Sequence, residues 1–253
     1  MKLSVCIDMM FSYCDFYDRC YEVKKSGIET VEFWKWTNKD ITRIAASGMD
    51  ISVFNMDSSN SSLSFDLSRG IVNAGRADDF IIALEESIPV YKKLNAKAMI
   101  VLIGENAKYN EENVLQCLLT AKPILEKEGV NLVIEPLNDI DRVGYSMPYA
   151  TPVLETLRKV NSPHIKMLYD IYHQNMMGDF DIEQIKENID LIGHFHIADA
   201  PGRHEPGTGN IDYISILREI SKLPYEGYIG LEYRATKKDS ETFGFLKEAG
   251  LLV

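Results

Sequence analysis

Short apolar runs alternate with longer amphipathic ones along the whole of this chain, and that alternation restricts its fold more than any other feature. Candidate strands are Leu3–Ile7, Thr30–Phe33, Ile51–Asn55, Ala98–Ile103, Leu132–Glu135, Ile165–Tyr169, Ile192–Ile197 and Tyr228–Glu232. Candidate helices are Phe16–Lys25, Ile41–Ala46, Asp78–Leu94, Glu111–Glu128, Pro152–Val160, Ile182–Asn188, Tyr213–Ser221 and Glu241–Glu248. Strands that alternate with helical segments build parallel sheets, because a parallel neighbour is reached only through a long crossover. Eight such units in 253 residues match a single closed (β/α)8 TIM barrel in count and size. A doubly wound open sheet is the alternative, but it would carry a Gly-rich phosphate loop after an early strand. The loops after the first two strands have none.

Local punctuation agrees. Gly27, Gly48 and Gly129 each follow a helical run, where a left-handed cap is expected. Asn110, Thr151 and Ser240 stand where N-caps or first-turn residues belong. Phe80, Ile81, Leu84, Ile88 and Tyr91 recur with the helical period. The Ser/Asn-rich stretch Asp57–Ala74 reads as a long loop after the third strand, on the face where barrels keep their chemistry. No linker or composition break divides the chain, so one domain over residues 1–253 is expected.

Apolar residues make up 45% of the chain, enough for a large core. A net charge of −11 repels phosphate backbones and anionic lipid surfaces, which argues against nucleic-acid and membrane partners. It does not argue against a small anionic substrate, which responds to local charge. Cys6, Cys14, Cys20 and Cys117 form no CxxC pair and read as free thiols in a reducing compartment. The first apolar run is too short for a signal segment, and none approaches the roughly 18 residues of a membrane span. A cytoplasmic protein is expected, and an acidic barrel of this size could pair with its own copies through its outer helices.

Four polar residues end four successive apolar runs: Glu135, Asp170, His196 and Glu232, separated by 35, 26 and 36 residues. Each interval is about one strand-plus-helix unit, so parallel neighbouring strands would bring the four side chains to one point. Three carboxylates gathered beside an imidazole repel one another there unless a cation joins them. Singly, each has a plainer reading: a solvated glutamate, or a helix cap for Asp170. His194 points to the same side of its strand as His196, so either imidazole could be the ligand. An oxygen-rich site with one imidazole suits one divalent metal ion, Mg2+, Mn2+ or Co2+. Such an ion is a Lewis acid that can polarise a carbonyl.

The segments Ile134-Glu-Pro-Leu-Asn138, Tyr169-Asp-Ile-Tyr-His173, Ile192-Gly-His-Phe-His-Ile-Ala-Asp199, Pro201-Gly-Arg-His-Glu-Pro-Gly-Thr-Gly-Asn-Ile-Asp-Tyr213 and Gly230-Leu-Glu-Tyr233 occur in order. Together they resemble the hydroxypyruvate isomerase family, within the sugar isomerase/epimerase superfamily of xylose isomerase-like TIM barrels. The motifs cover roughly residues 130–235. The resemblance implies that Glu135, Asp170, His196 and Glu232 hold the metal, and that Glu135 and Glu232 also transfer the proton. It implies that His173 and Arg203 bind substrate, and that the reaction interconverts hydroxypyruvate and 2-hydroxy-3-oxopropanoate (tartronate semialdehyde). One position departs from the pattern. Typical family members carry Gln where this chain has His196, and His-x-His there is commoner in ketose 3-epimerases and inosose dehydratase-type enzymes. Those two activities are the alternatives on the same barrel. Endonuclease IV-like repair enzymes share the barrel too, but need many histidines and a basic face, against five His and a charge of −11 here.

Other marked residues have two readings each. Trp34 and Trp36 form either an apolar wall of the pocket or plain packing, and Met9-Met10-Phe11 either closes the pocket or packs. Glu105 is a solvated loop residue or a substrate contact. His204 and Glu205 support Arg203, and His164 lies at the far end of the barrel.

Overall fold

The computed structural model describes residues 1–250. Eight strands close into a barrel in sequence order: β1 (Lys2–Cys6), β2 (Thr30–Lys35), β3 (Asp50–Asn55), β4 (Ala98–Leu102), β5 (Leu132–Glu135), β6 (Ile165–Asp170), β7 (Ile192–Ile197) and β8 (Tyr228–Leu231). Every pairing is parallel, including the closing one that sets Leu3 beside Ile229. The ends differ from those expected by no more than two residues.

The helices are α1 (Asp18–Lys25), α2 (Ile41–Ala46), α3 (Ser61–Arg69), α4 (Ala77–Leu94), α5 (Glu111–Glu128), α6 (Ala150–Val160), α7 (Ile171–Met176), α8 (Ile182–Glu187), α9 (Tyr213–Ile220) and α10 (Gly244–Glu248). α5 shows why these segments are helical. Asn110 caps it by accepting from the Asn113 N–H, and Gly129 ends it in the left-handed region at φ +65°. Val114, Cys117, Leu118, Ala121 and Leu125 form its buried stripe. Each fully buried Leu or Val contributes about 1.5–3 kcal/mol by leaving water, against about 1 kcal/mol for the cap. Packing therefore holds the helix, and the cap sets where it starts. No described helix is long and apolar enough to cross a membrane.

Two expectations need correction, and one short helix is new to the sequence reading. The stretch Asp57–Ala74 is not all loop: α3 fills much of it, capped by Asn60 and buried through Leu63 and Leu67. The segment after β6 turns at once into α7, with Asp170 as its N-cap. The last helix is shorter than expected, because a 3-10 turn occupies Asp239–Glu241 and α10 begins at Gly244. Ser240 therefore sits in that turn, and Thr151 lies in the first turn of α6 behind Tyr149.

Candidate metal centre

Barrel register builds the site. Asp170 lies beside His196, and His196 beside Gly230, two residues before Glu232. Glu135 ends β5 next to Leu102. The four expected residues thus meet at the C-terminal rim, all buried, with ligand atoms of each within 4.8 Å of the others. His196 Nδ1 lies 3.2 Å from Glu135 Oε1 and 3.3 Å from Glu232 Oε2. His194 lies outside the four-residue group, with its Nε2 3.0 Å from Glu32.

Arg203 Nη2 pairs with Glu232 Oε2 and lies 3.9 Å from Asp170 Oδ2, and its guanidinium stands 5.4 Å from the Tyr172 ring centre. Trp34 Nε1 donates to the other oxygen of Glu232 at 2.8 Å. Glu232 is thereby held from two sides. Burial opposes its ionisation, but Arg203 and His196 outweigh that and hold its carboxyl well below the usual range. Asp170 is the opposite case: burial pushes it up to about 7, despite Arg203 and His196 nearby. Burial opposes protonation of His196, but Glu232 and Glu32 outweigh it and raise its pKa.

These directions test whether a cation fits. The resident positive groups, Arg203 and His196, stabilise Glu232 but leave Asp170 short of a counter-charge. Three carboxylates and one imidazole at this spacing are a donor set for a hard divalent ion. The residues present fit one.

His173 sits 1% exposed beside the cluster. Its Nδ1 accepts from the Asn138 backbone N–H at 3.1 Å, so in the neutral ring the proton resides on Nε2. Burial, reinforced by Arg203, holds the ring neutral by lowering its pKa far below normal. Nε2 lies 3.4 Å from Asp170 Oδ2 and has no hydrogen-bond partner among the described residues. It is a donor waiting at the cavity wall.

The cavity above the cluster has a volume of about 750 Å3. Glu135, Glu232, His173 and Arg203 line it, with Trp34, Leu137, Tyr172 and Met176 as apolar walls and Lys35, Arg142 and Arg234 as further cations. Arg203 is carried on the β7–α9 loop, which Asp199 organises. The Asp199 carboxylate accepts backbone N–H groups from Ala200, Gly207, Gly209 and Ile211 at 2.8–3.1 Å. Gly209 is required by space, since a Cβ there would lie 2.1 Å from the Ala200 carbonyl oxygen.

The remaining expectations resolve as follows. Trp34 reaches the cluster, whereas Trp36 donates to Ser87 on α4 and packs. Glu105 pairs with Arg142 and Arg69, so it positions a cavity cation. Glu205 accepts from the Thr236 N–H at 2.9 Å, and His204 Nδ1 bonds the Arg234 carbonyl at 2.7 Å, tying the Arg203 loop to the segment after β8. His164 precedes β6 and bonds Asn131, at the opposite end from the site. Met10 and Phe11 are core, while Met9 lines a neighbouring cleft. The sequence reading missed Glu32 and Asp199. Glu32 carried a signal, being a lone carboxylate between Val31 and Phe33 inside an apolar run. Asp199 carried none beyond its place in a motif.

Comparison with known proteins agrees with the geometry. The model of the xylose isomerase-like TIM barrel family matches residues 20–249. Hydroxypyruvate isomerase of Escherichia coli K12 is 29% identical over 244 residues, 92% of this chain and 93% of that protein. 2-Oxo-tetronate isomerase of Cupriavidus necator is 27% identical over 252 residues, 95% of each. Among solved structures, one described as an AP endonuclease, family 2, from Brucella melitensis superposes with a TM-score of 0.88 at 23% identity, covering 97% of this chain and 98% of that one. At that identity it shows the fold.

Proposed function

The chain belongs to the xylose isomerase-like TIM barrel family, and from that premise we propose that it is a metal-dependent isomerase of short hydroxy-keto acids, interconverting hydroxypyruvate and 2-hydroxy-3-oxopropanoate. The observation that carries this reading is the convergence of Glu135, Asp170, His196 and Glu232 beneath a cavity that His173 and Arg203 also line. These four residues would hold one divalent ion, Mg2+, Mn2+ or Co2+. When bound, such an ion draws electrons from a substrate carbonyl and so acidifies the adjacent C–H.

The chain's own residues do the rest. Converting hydroxypyruvate moves one proton from C3 to C2 and one from the C3 oxygen to the C2 oxygen. Glu135 and Glu232 flank His196 Nδ1 at 3.2 and 3.3 Å, a spacing that supports their use as the proton-transferring pair. One takes the C3 proton, and the same or the opposite one returns a proton at C2. Trp34 and Arg203 keep Glu232 aimed and ionised. His173 offers its Nε2–H to a substrate oxygen as negative charge grows. Arg203 Nε, buried and without a partner among the described residues, is a free donor for the substrate carboxylate.

A four-carbon 2-oxo acid is the second reading, supported by the 27% identity to 2-oxo-tetronate isomerase over 95% of each chain. Incubation in deuterated water with hydroxypyruvate, 2-oxo-tetronate and ketoses, followed by NMR, separates the cases. Exchange into a keto acid is expected. Exchange at C3 of a ketose with none into either acid would make the protein a 3-epimerase instead.

A further inference from the structure

Below the four-residue cluster, inside the barrel, lies a second polar group that the proposed chemistry does not use: Ser4, Glu32, Ser52 and His194, each 2% exposed or less. Glu32 projects from β2 across the barrel to β7. Its Oε2 lies 3.0 Å from His194 Nε2 and accepts from Ser52 Oγ at 3.0 Å. Ser52 Oγ is in turn 2.6 Å from Ser4 Oγ. The other oxygen, Oε1, lies 3.0 Å from His196 Nε2, an ion-pair contact without hydrogen-bond alignment, and neither atom has a hydrogen-bond partner among the described residues. A buried carboxylate costs several kcal/mol to desolvate, so a chain that keeps one here needs compensation, and both imidazoles supply it.

Space for this contact comes from one residue. A Cβ on Gly230 would lie 2.3 Å from Glu32 Oε1 and 2.6 Å from His196 Cδ2. Any larger side chain would push Glu32 and His196 apart.

We propose that Glu32 is a positioning residue for the metal centre: facing His196 Nε2 at 3.0 Å, it keeps the ring proton on that nitrogen when an ion binds, so that Nδ1, between Glu135 and Glu232, is the nitrogen that gives up its proton and turns its lone pair to the ion. An imidazole has one lone pair to give when neutral, and the hydrogen bond on one nitrogen decides that the other donates it. His194 and Ser52 hold the far oxygen of Glu32 and so fix its rotamer. This inference rests on the metal reading of the four-residue cluster above, not on the identity of the substrate.

The test is metal binding, read without substrate. Mn2+ is titrated calorimetrically into metal-depleted wild type, Glu32→Gln and Gly230→Ala, with circular dichroism and metal-free melting as controls. Both folded variants should bind Mn2+ about 10- to 100-fold more weakly, the cost typical of losing a partner behind a ligand. A folded Glu32→Gln that binds within twofold of wild type overturns the inference. Wild type alone also decides it, should both variants fail to fold. Loaded with diamagnetic Zn2+ and labelled with 15N-histidine, it should show the His196 proton on Nε2, the signal being assigned by its loss in His196→Gln. A proton on Nδ1 overturns the inference. Wild type that binds neither metal overturns the metal reading as well, so the two failures are told apart.

Discussion

Glu135 and Glu232 share one imidazole nitrogen, yet their surroundings differ. Glu232 is gripped by Trp34 and Arg203, while Glu135 contacts His196 alone among the side chains of the cluster. Removing either charge should leave the fold intact, because each group sits at a strand end and not within the apolar core. Glu135→Gln and Glu232→Gln are expected to lower kcat by about 10²- to 10⁴-fold, the usual loss for a positioned acid–base group, with unchanged circular dichroism. Retention of near-full activity by either would remove it from proton transfer. At this scale the sequence was a good guide to which side chains gather where apolar runs end. It was silent on partners: nothing in the letters pairs Trp34 with Glu232, or turns His173 Nδ1 toward the Asn138 N–H, because those contacts join segments far apart in the chain.

Among the elements, the β7–α9 loop matters most, since it carries Arg203 with a left-handed φ of +58°. Such a conformation persists in a non-glycine residue only when its surroundings enforce it. Asp199 enforces it through four backbone N–H groups. In Asp199→Asn one side-chain atom becomes a donor, leaving buried N–H groups without an acceptor at a cost of about 2 kcal/mol or more. A fall in Tm of about 4–8 °C is expected for a chain of this size, with a raised KM as Arg203 loosens. A variant with wild-type Tm and KM would show that the loop is held by other means.

Glu205 ties the same loop to Thr236. Burial opposes its ionisation, but the Thr236 donors outweigh that and lower its pKa. A carboxyl whose folded pKa lies below its unfolded one stabilises above the unfolded value, near 4.3, and loses that contribution as pH falls through the folded one. Glu205→Gln should therefore cost about 1.5 kcal/mol at pH 7, with the gap from wild type narrowing below about pH 4.5. Urea denaturation across pH checks the trend, and a constant gap would deny the ionised bond. The elements themselves were legible because helix and strand periods are local, and α5 matched the expected Glu111–Glu128. α3 was missed because serines and asparagines masked the Leu63/Leu67 pair, and α7 because its six residues are too few to show a period.

For the whole molecule, the cluster is a point where the barrel stores repulsion. Burial raises Asp170 to about 7, and a bound cation would favour its ionised form. A ligand that binds only the folded chain stabilises it by about 2.7 kcal/mol at a hundred times its Kd. Chelation should thus lower Tm by about 5–10 °C, and Mn2+ should restore it, as differential scanning calorimetry can record. A melting curve indifferent to chelator and metal would count against a resident ion.

By itself, the sequence determined the eight alternating units, their parallel closure and the four residues at the rim. Each of those follows from local period, from chain length, or from where an apolar run stops. Tertiary structure alone decided that His196 and not His194 joins the rim, that Glu32 reaches across the barrel to both, and that Arg203 clamps Glu232. Alternation along a strand tells which side chains face inward, but not at what depth they sit or what they meet across the interior. Depth and partner are set by the stagger of the closed barrel and by the space that Gly230 leaves, and these exist only once every strand is in place.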